Sequence, residues 1–287
     1  MDVQETINYA FVDANLLQDW QLDQDAVALA NPLSAELAVM RTSLLPGLVK
    51  TLTNNSARQQ TRLRLFEMGR VFSLQEAVAP LERQMLGAVF HGPSLSEQWA
   101  VKAAQLDFYD VKAILDAVLA VSGFSAAYRV SDKAFMHPGR SADVLVDGQA
   151  VGVIGALHPR MNKLLDLPGD VFAFELDLSA LPQRPLPKAS TISRFPSVRR
   201  DLALLVPESV AWGEIERCVS ATLGARLQSV TIFDQYHGTG LQPGTKSLAM
   251  GLILHDISRT LNDVEVEQSI SDVLEKLGTD CQAVLRG

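Results

Sequence analysis

Ser247-Leu248-Ala249-Met250-Gly251-Leu252-Ile253-Leu254 is the stretch that decides the architecture of the C-terminal part of the chain. Leu248, Met250, Leu252 and Leu254 alternate with the smaller Ala249 and Gly251 and with Ile253. A two-residue period of this kind is a strand with one face bulky enough for a core and one shallow face. Working outward, Leu227 to Phe233 reads as the preceding strand, Trp212 to Leu223 as a helix and Asp201 to Val206 as the first strand. Downstream, Val264 to Leu277 reads as a second helix and Gln282 to Leu285 as a closing strand. Gly224 and Gly278 stand where the helices should stop, and Asn262 with Glu265 resembles a capping box. The order βαββαβ is ferredoxin-like, with helices on one side of a sheet whose other side is available.

Upstream lies Leu181-Pro182-Gln183-Arg184-Pro185-Leu186-Pro187-Lys188-Ala189-Ser190, whose prolines remove backbone donors and favour an extended connector. The predicted organisation is a domain over 1–180, a linker over 181–192 and a second domain over 193–287. In the first domain, Asp107 can cap a helix with apolar positions Phe108, Val111, Ile114, Leu115, Val118 and Leu119, ending near Gly123. Ala142 to Val146 and Gln149 to Ala156 flank Asp147-Gly148, the turn chemistry of a tight antiparallel hairpin. A second strand pair is expected at Arg62 to Phe72 and Gln84 to His91. Antiparallel pairing with interspersed helices makes the fold class α+β.

The chain has 287 residues, 47% hydrophobic and 20% charged, enough to bury two cores. No stretch has the length and apolarity of a membrane span, and Met1-Asp2-Val3-Gln4-Glu5-Thr6 lacks the features of a signal peptide, so the expected location is cytoplasmic. Cys218 and Cys281 fit no metal spacing and read as reduced, structural thiols. A net charge of −8 argues against non-specific coating of nucleic acid, which needs many Lys and Arg on phosphates. From Ser190 onward nine Lys+Arg stand against twelve Asp+Glu, a net of −3. Any RNA contact must be local. His91, His137, His158, His237 and His255 show no i, i+4 metal spacing, and no carboxylate pair, Gly-x-Ser-x-Gly elbow or phosphate loop stands out. No catalytic residue and no metal ligand is assigned; His137 and His158, each followed by proline, suit structural turns.

Several spaced blocks carry a family resemblance: Asn31-Pro32-Leu33-Ser34, Met40-Arg41-Thr42-Ser43-Leu44-Leu45-Pro46-Gly47-Leu48, Leu65-Phe66-Glu67-Met68-Gly69-Arg70-Val71-Phe72, His137-Pro138-Gly139-Arg140-Ser141-Ala142 and Gly155-Ala156-Leu157-His158-Pro159. Together they resemble the synthetase-like domain of bacterial phenylalanine–tRNA ligase β subunits, a class II synthetase-like antiparallel sheet. Arg194-Phe195-Pro196-Ser197-Val198-Arg199-Arg200-Asp201-Leu202-Ala203 resembles the start of that subunit's anticodon-binding domain, so the resemblance covers nearly the whole chain. It implies a C-terminal piece of a longer subunit. In a catalytic class II synthetase the Gly-Arg-Val-Phe-like strand is followed by Arg-x-Glu, which holds ATP; here Ser73-Leu74-Gln75 follows, and a serine cannot neutralise a phosphate. The resemblance therefore implies a non-catalytic domain that packs on the catalytic α subunit of an α2β2 assembly. ATP and magnesium belong to the intact enzyme and no cofactor to this piece, since the family's magnesium and editing sites lie in upstream segments.

An anticodon loop presents unpaired bases, which proteins stack on aromatic and guanidinium planes. The candidates for contact with phenylalanine tRNA are Phe195, Arg199, Arg200, Phe233, Tyr236, Lys246 and Arg286, with the small Ala249 and Gly251 letting a base approach the sheet. Arg58, Arg62, Arg64 and Arg70 form another basic group, able to meet tRNA or the α subunit. Two other readings remain, an active ATP-dependent ligase and a regulatory amino-acid-binding module, a use to which ferredoxin-like folds are also put.

Overall fold

The computed structural model describes residues 2–74, 79–167, 169–184, 186–187, 189 and 193–286. Gln75 and, within the proline-rich stretch, Pro185, Lys188 and residues 190–192 lie outside the described residues. The chain divides into two compact α+β units, Met1–Leu186 and Pro187–Gly287.

Unit 1 contains strands β1 (Gln4–Glu5), β2 (Phe11–Val12), β3 (Val39–Met40), β4 (Leu63–Ser73), β5 (Leu81–His91), β6 (Ala127–Val130), β7 (Met136–Val146), β8 (Gln149–Leu157) and β9 (Val171–Asp177). Its helices are α1 (Ala14–Trp20), α2 (Leu45–Ser56), α3 (Phe108–Val121) and α4 (Pro159–Leu164). Seven strands form one sheet in the order β1-β4-β5-β9-β8-β7-β6, antiparallel except where β1 joins β4. The two expected strand pairs are present as β4/β5 and β7/β8, the latter turning through Asp147 and Gly148 at φ 51° and 80°. Positive φ at both central residues matches the right-handed twist of the flanking strands, hence Asp-Gly there.

Alternation along the strands sends side chains to two cores. Leu63, Leu65, Val71, Met85, Val89 and Ala173 meet Leu44, Leu45, Leu48 and Leu52 of the α2 region on one face. Ala88, Phe90, Phe174 and Leu176 meet Val111, Leu115 and Leu119 of α3 on the other. Pro46 suits the first turn of α2, where its missing N–H is no loss. Asp107 and Asp110 form a reciprocal capping box at the start of α3. Gly87 lets α2 lie close to the sheet, since a Cβ there would meet Leu48 Cδ1 at 3.0 Å and Leu44 Cβ at 3.1 Å.

Within unit 1, the block over residues 40–48 meets that over 65–72, and residues 137–142 pair with the strand that carries residues 155–157. Arg41, 6% exposed, donates from Nη1 to Glu67 Oε1 at 2.6 Å and from Nε to the Arg70 carbonyl at 2.9 Å. Asn8 donates to the other Glu67 oxygen at 2.7 Å, and Gly69 leaves the space that the Arg41 guanidinium fills. His137 and His158 each accept a backbone N–H two residues on, from Gly139 and Arg160, at 3.0 Å, and His158 caps α4.

Glu175 is the second carboxylate buried in this unit. It accepts the Leu44 N–H at 2.6 Å and the Ser43 hydroxyl at 3.0 Å. Burial pushes its carboxyl above the ordinary range, against the Leu44 and Ser43 donors and the charges of Arg83 and Arg41. A raised folded-state value stabilises the fold below the unfolded value, near 4.5, and that contribution is lost as pH rises through the folded value. Glu175→Gln should therefore gain on the native protein as pH rises, by up to about 1.4 kcal/mol for each pH unit of the window. Urea midpoints of unit 1, followed by hydrogen exchange at pH 5 and pH 8, read this out. A constant difference between the two proteins would sink the idea.

Unit 2 contains β10 (Val198–Pro207), α5 (Trp212–Leu223), β11 (Leu227–Tyr236), β12 (Thr245–Leu254), α6 (Asp263–Cys281) and β13 (Val284–Leu285). The sheet order β11-β12-β10-β13, antiparallel throughout, is ferredoxin-like. Leu202, Leu204, Val206, Leu248, Met250, Leu252 and Leu254 bury against Ile215 and Val219 of α5 and Val266, Ile270, Val273 and Leu277 of α6. The Asn262–Glu265 capping box is present, and Gly224 ends α5 at φ 52°. Gly278 does not end α6. The buried stripe Val266, Ile270, Val273, Leu277 continues to Cys281, so packing carries the helix through the glycine. Gln282, expected in the last strand, instead caps the helix in the left-handed region at φ 53°.

Candidate functional site

Both helices of unit 2 cover the side of the sheet to which the even-numbered residues of β10 and β12 point, so the odd-numbered ones line the opposite face. On that face Ala203 pairs with Ala249 and Asp201 with Gly251, a shallow patch between the larger Ile253 and Leu205. On β11, Asp234 and Tyr236 stand opposite Ala249 and Ser247, and a bulge between Ile232 and Asp234 inserts Phe233 as an extra residue. Phe233 is 54% exposed and Tyr236 39%, although rings on a strand usually bury.

Each ring has a guanidinium beside it. The Arg199 Cζ lies 5.7 Å from the Phe233 centroid, and the Arg286 Cζ lies 6.0 Å from that of Tyr236, within cation–π range. Arg286 follows β13, donates its backbone N–H to the Ala203 carbonyl at 2.8 Å, and reaches Ser247 Oγ with Nη1 at 3.2 Å. Ser247 and Gly251 are buried on this helix-free face because the two arginines lie over them. A Cβ on Gly251 would stand 3.1 Å from both Arg199 Nη2 and Asp201 Oδ1. The hydroxyl of Tyr236 donates to the Thr239 carbonyl at 3.1 Å, so Gly238-Thr239-Gly240 is a turn folded back on that ring.

The electrostatics are nearly balanced. Arg199 Nε donates to Asp201 Oδ1 at 2.8 Å, and Asp234 is on the same face. Such a surface has little net attraction for phosphates but offers flat, polarised planes and hydrogen-bonding edges at close range, which suits stacking of unpaired bases.

Four of the seven candidate residues thus come together: Arg199, Phe233, Tyr236 and Arg286. Three do not join them. Arg200 points to the helix side and stands 3.7 Å from Glu267 of α6. Lys246 lies in register with the core-facing residues of β12 and donates to the Glu208 carbonyl at 3.1 Å. Phe195 belongs to the segment before β10, where its N–H meets Ser193 Oγ at 3.2 Å. Asp201 and Ser247, which hold the two arginines in place, are site residues that the sequence reading did not single out. The i, i+2 spacing of Arg199 and Asp201 on a strand was a usable signal for the first; nothing local pointed to the second.

Two family models match this chain. "Phenylalanyl tRNA synthetase beta chain CLM domain" matches residues 1–178, and "Ferredoxin-fold anticodon binding domain" matches residues 193–286. The phenylalanine–tRNA ligase β subunit of Xanthomonas oryzae pv. oryzae (strain MAFF 311018) is 52% identical over 287 residues, covering 99% of this chain and 36% of that protein. The same subunit of Xanthomonas campestris pv. campestris (strain 8004) is 52% identical over 287 residues, covering 100% and 36%. That of Xylella fastidiosa (strain Temecula1) is 49% identical over 275 residues, covering 95% and 35%. The chain spans about a third of the length of these relatives.

Proposed function

The chain belongs to the phenylalanine–tRNA ligase β-subunit family, and from that premise we propose that unit 2 reads the anticodon loop of phenylalanine tRNA on its helix-free sheet face. The observation that carries this reading is the pairing of two exposed rings with two guanidiniums beside the shallow patch of Ala203, Ala249 and Gly251. Bases of the loop stack on Phe233 and Tyr236, while Arg199 and Arg286, held by Asp201 and Ser247, present fixed N–H groups to base edges. The near-neutral face makes binding depend more on stacking than on counterion release.

Unit 1, with residues 181–192 as the connector, is in this reading a class II synthetase-like scaffold that packs on the catalytic α subunit of a cytoplasmic α2β2 enzyme. That enzyme attaches phenylalanine to its tRNA using ATP and magnesium. Among the described residues, the strand position at which a catalytic synthetase holds ATP does not fit a nucleotide in unit 1. Ser73, where an ATP-holding strand continues to arginine, is 5% exposed and uncharged, and Glu67 and Glu175 are already engaged by Arg41, Asn8, Ser43 and Leu44. Among the described residues no group of three or more His, Cys, Asp or Glu could hold a metal ion. No helix among them is long and apolar enough to cross a membrane.

The test is a titration with an anticodon stem-loop bearing the phenylalanine anticodon and with one whose loop is scrambled, each at two salt concentrations. Saturable binding that prefers the native loop and weakens only modestly with salt is expected. Equal affinity for both loops, or a thermal shift with phenylalanine and indifference to RNA, would turn the reading toward a scaffold or an amino-acid-binding module.

A further inference from the structure

Of the basic group in unit 1, the fold sets Arg70 apart, paired with Glu82 at 2.7 Å, and gathers the other three. Arg58, Arg62 and Arg64 line a recess of about 230 Å³ with Asn55, Gln60 and Asp2. It forms where the turn after α2 and the segment Asp2 to Gln4 meet the start of β4, with Leu63 and Leu65 also in its lining.

Three arginines line this recess in a chain whose net charge is −8, so the cluster does not follow from general basicity. Local compensation is partial. Asp2 pairs with Arg62, Asp110 bears on Arg64, and Arg64 also donates to the Ser94 carbonyl. The Nε of Arg62 is buried without a hydrogen-bond partner, and Arg58 has no ion pair or side-chain hydrogen bond among the described residues. Burial and then the Arg62 charge hold the Arg64 guanidinium below its ordinary range, with Asp110 and Asp2 opposing. Crowding like charges in a recess is unfavourable unless an anion offsets it.

We propose that the Arg58–Arg62–Arg64 recess is a binding site for a phosphate group, taken either from free pyrophosphate or from an RNA backbone. Guanidinium forks match the oxygens of phosphate in pairs, and the Gln60 amide can add a neutral donor, whereas that of Asn55 already donates to the Thr51 carbonyl at 2.9 Å. Asp2 holds the place of the anion on Arg62 and competes with it. The site is in unit 1 and shares no residue with the sheet face of unit 2, so the two stand or fall separately.

The experiment is calorimetric titration of the full chain with pyrophosphate, then with a blunt RNA duplex that has no unpaired bases to stack. Saturable pyrophosphate binding is expected, weakened about tenfold or more by Arg58→Gln/Arg62→Gln, tightened by Asp2→Asn and unchanged by Phe233→Ala. Arg58→Gln alone, at an exposed side chain, guards against a folding defect and should weaken binding part of the way. Displacement of pyrophosphate by the duplex assigns the phosphate to an RNA backbone; binding of pyrophosphate that the duplex leaves untouched assigns it to a free anion. Absence of saturable binding, or equal binding by the native protein and the double variant, overturns the proposal.

Discussion

Arg41→Ala is expected to destabilise unit 1 by about 3–5 kcal/mol, enough to leave it largely unfolded at growth temperature if it has the usual marginal stability. The cost arises less from the lost attraction than from what is left behind. Glu67 is 2% exposed, and without the guanidinium it retains only the Asn8 amide as a donor to its charge. Two backbone tethers go as well, because Arg41 Nε holds the Arg70 carbonyl and Nη1 reaches that of Asn8 at 3.4 Å. The check is hydrogen exchange of β4 and β5 with thermal unfolding of the same sample; protection in unit 2 serves as the internal control. Adding Glu67→Gln to the first change should recover part of the loss, since no buried charge then remains. A double variant no more stable than Arg41→Ala would mean that the tethers, and not the ion pair, carry the effect.

Phe233→Ala should weaken binding of the native anticodon stem-loop by about 1–3 kcal/mol, roughly five- to 150-fold, with Tyr236→Ala in the same range. Both rings are already exposed, so little burial is lost on truncation and the fold should hold. The two changes need not act alike. Arg286 and the Thr239 carbonyl both lean on Tyr236, so Tyr236→Ala frees neighbours as well as removing a plane, whereas Phe233 stands on a bulge beside Arg199. Tyr236→Phe separates these effects, keeping the plane while releasing Thr239. Fluorescence anisotropy of a labelled stem-loop at fixed salt measures all three. Native affinity in both alanine variants would remove the sheet face as the recognition surface.

Most of unit 2 was legible in the residue order. Alternation in β12, glycine after α5 and the Asn262–Glu265 box are local signals, and each acts over a few residues. The exception was the end of α6, where Gly278 as a stop signal was outweighed by the burial of Cys281 one turn on. A propensity worth about 1 kcal/mol yields to packing of that size.

The candidate site divides along the same line. Residue types suited to stacking could be chosen from the sequence, and strand parity alone set Arg199 apart from Arg200, which turns to Glu267. Only the tertiary structure brought Arg286 from the last strand to Tyr236 of the second, through a β10 edge with which β13 pairs at two positions. Likewise, the sequence by itself determined that unit 1 is α+β, with its two antiparallel strand pairs, because hydrophobic period and turn chemistry are properties of neighbouring residues. The Arg41–Glu67 lock, the Glu175 contact with Ser43 and the Arg58–Arg62–Arg64 recess were decided by folding. They join residues that are distant in sequence or on different elements, and whether such charges pair, repel or await a ligand depends on burial and distance, which no local pattern carries.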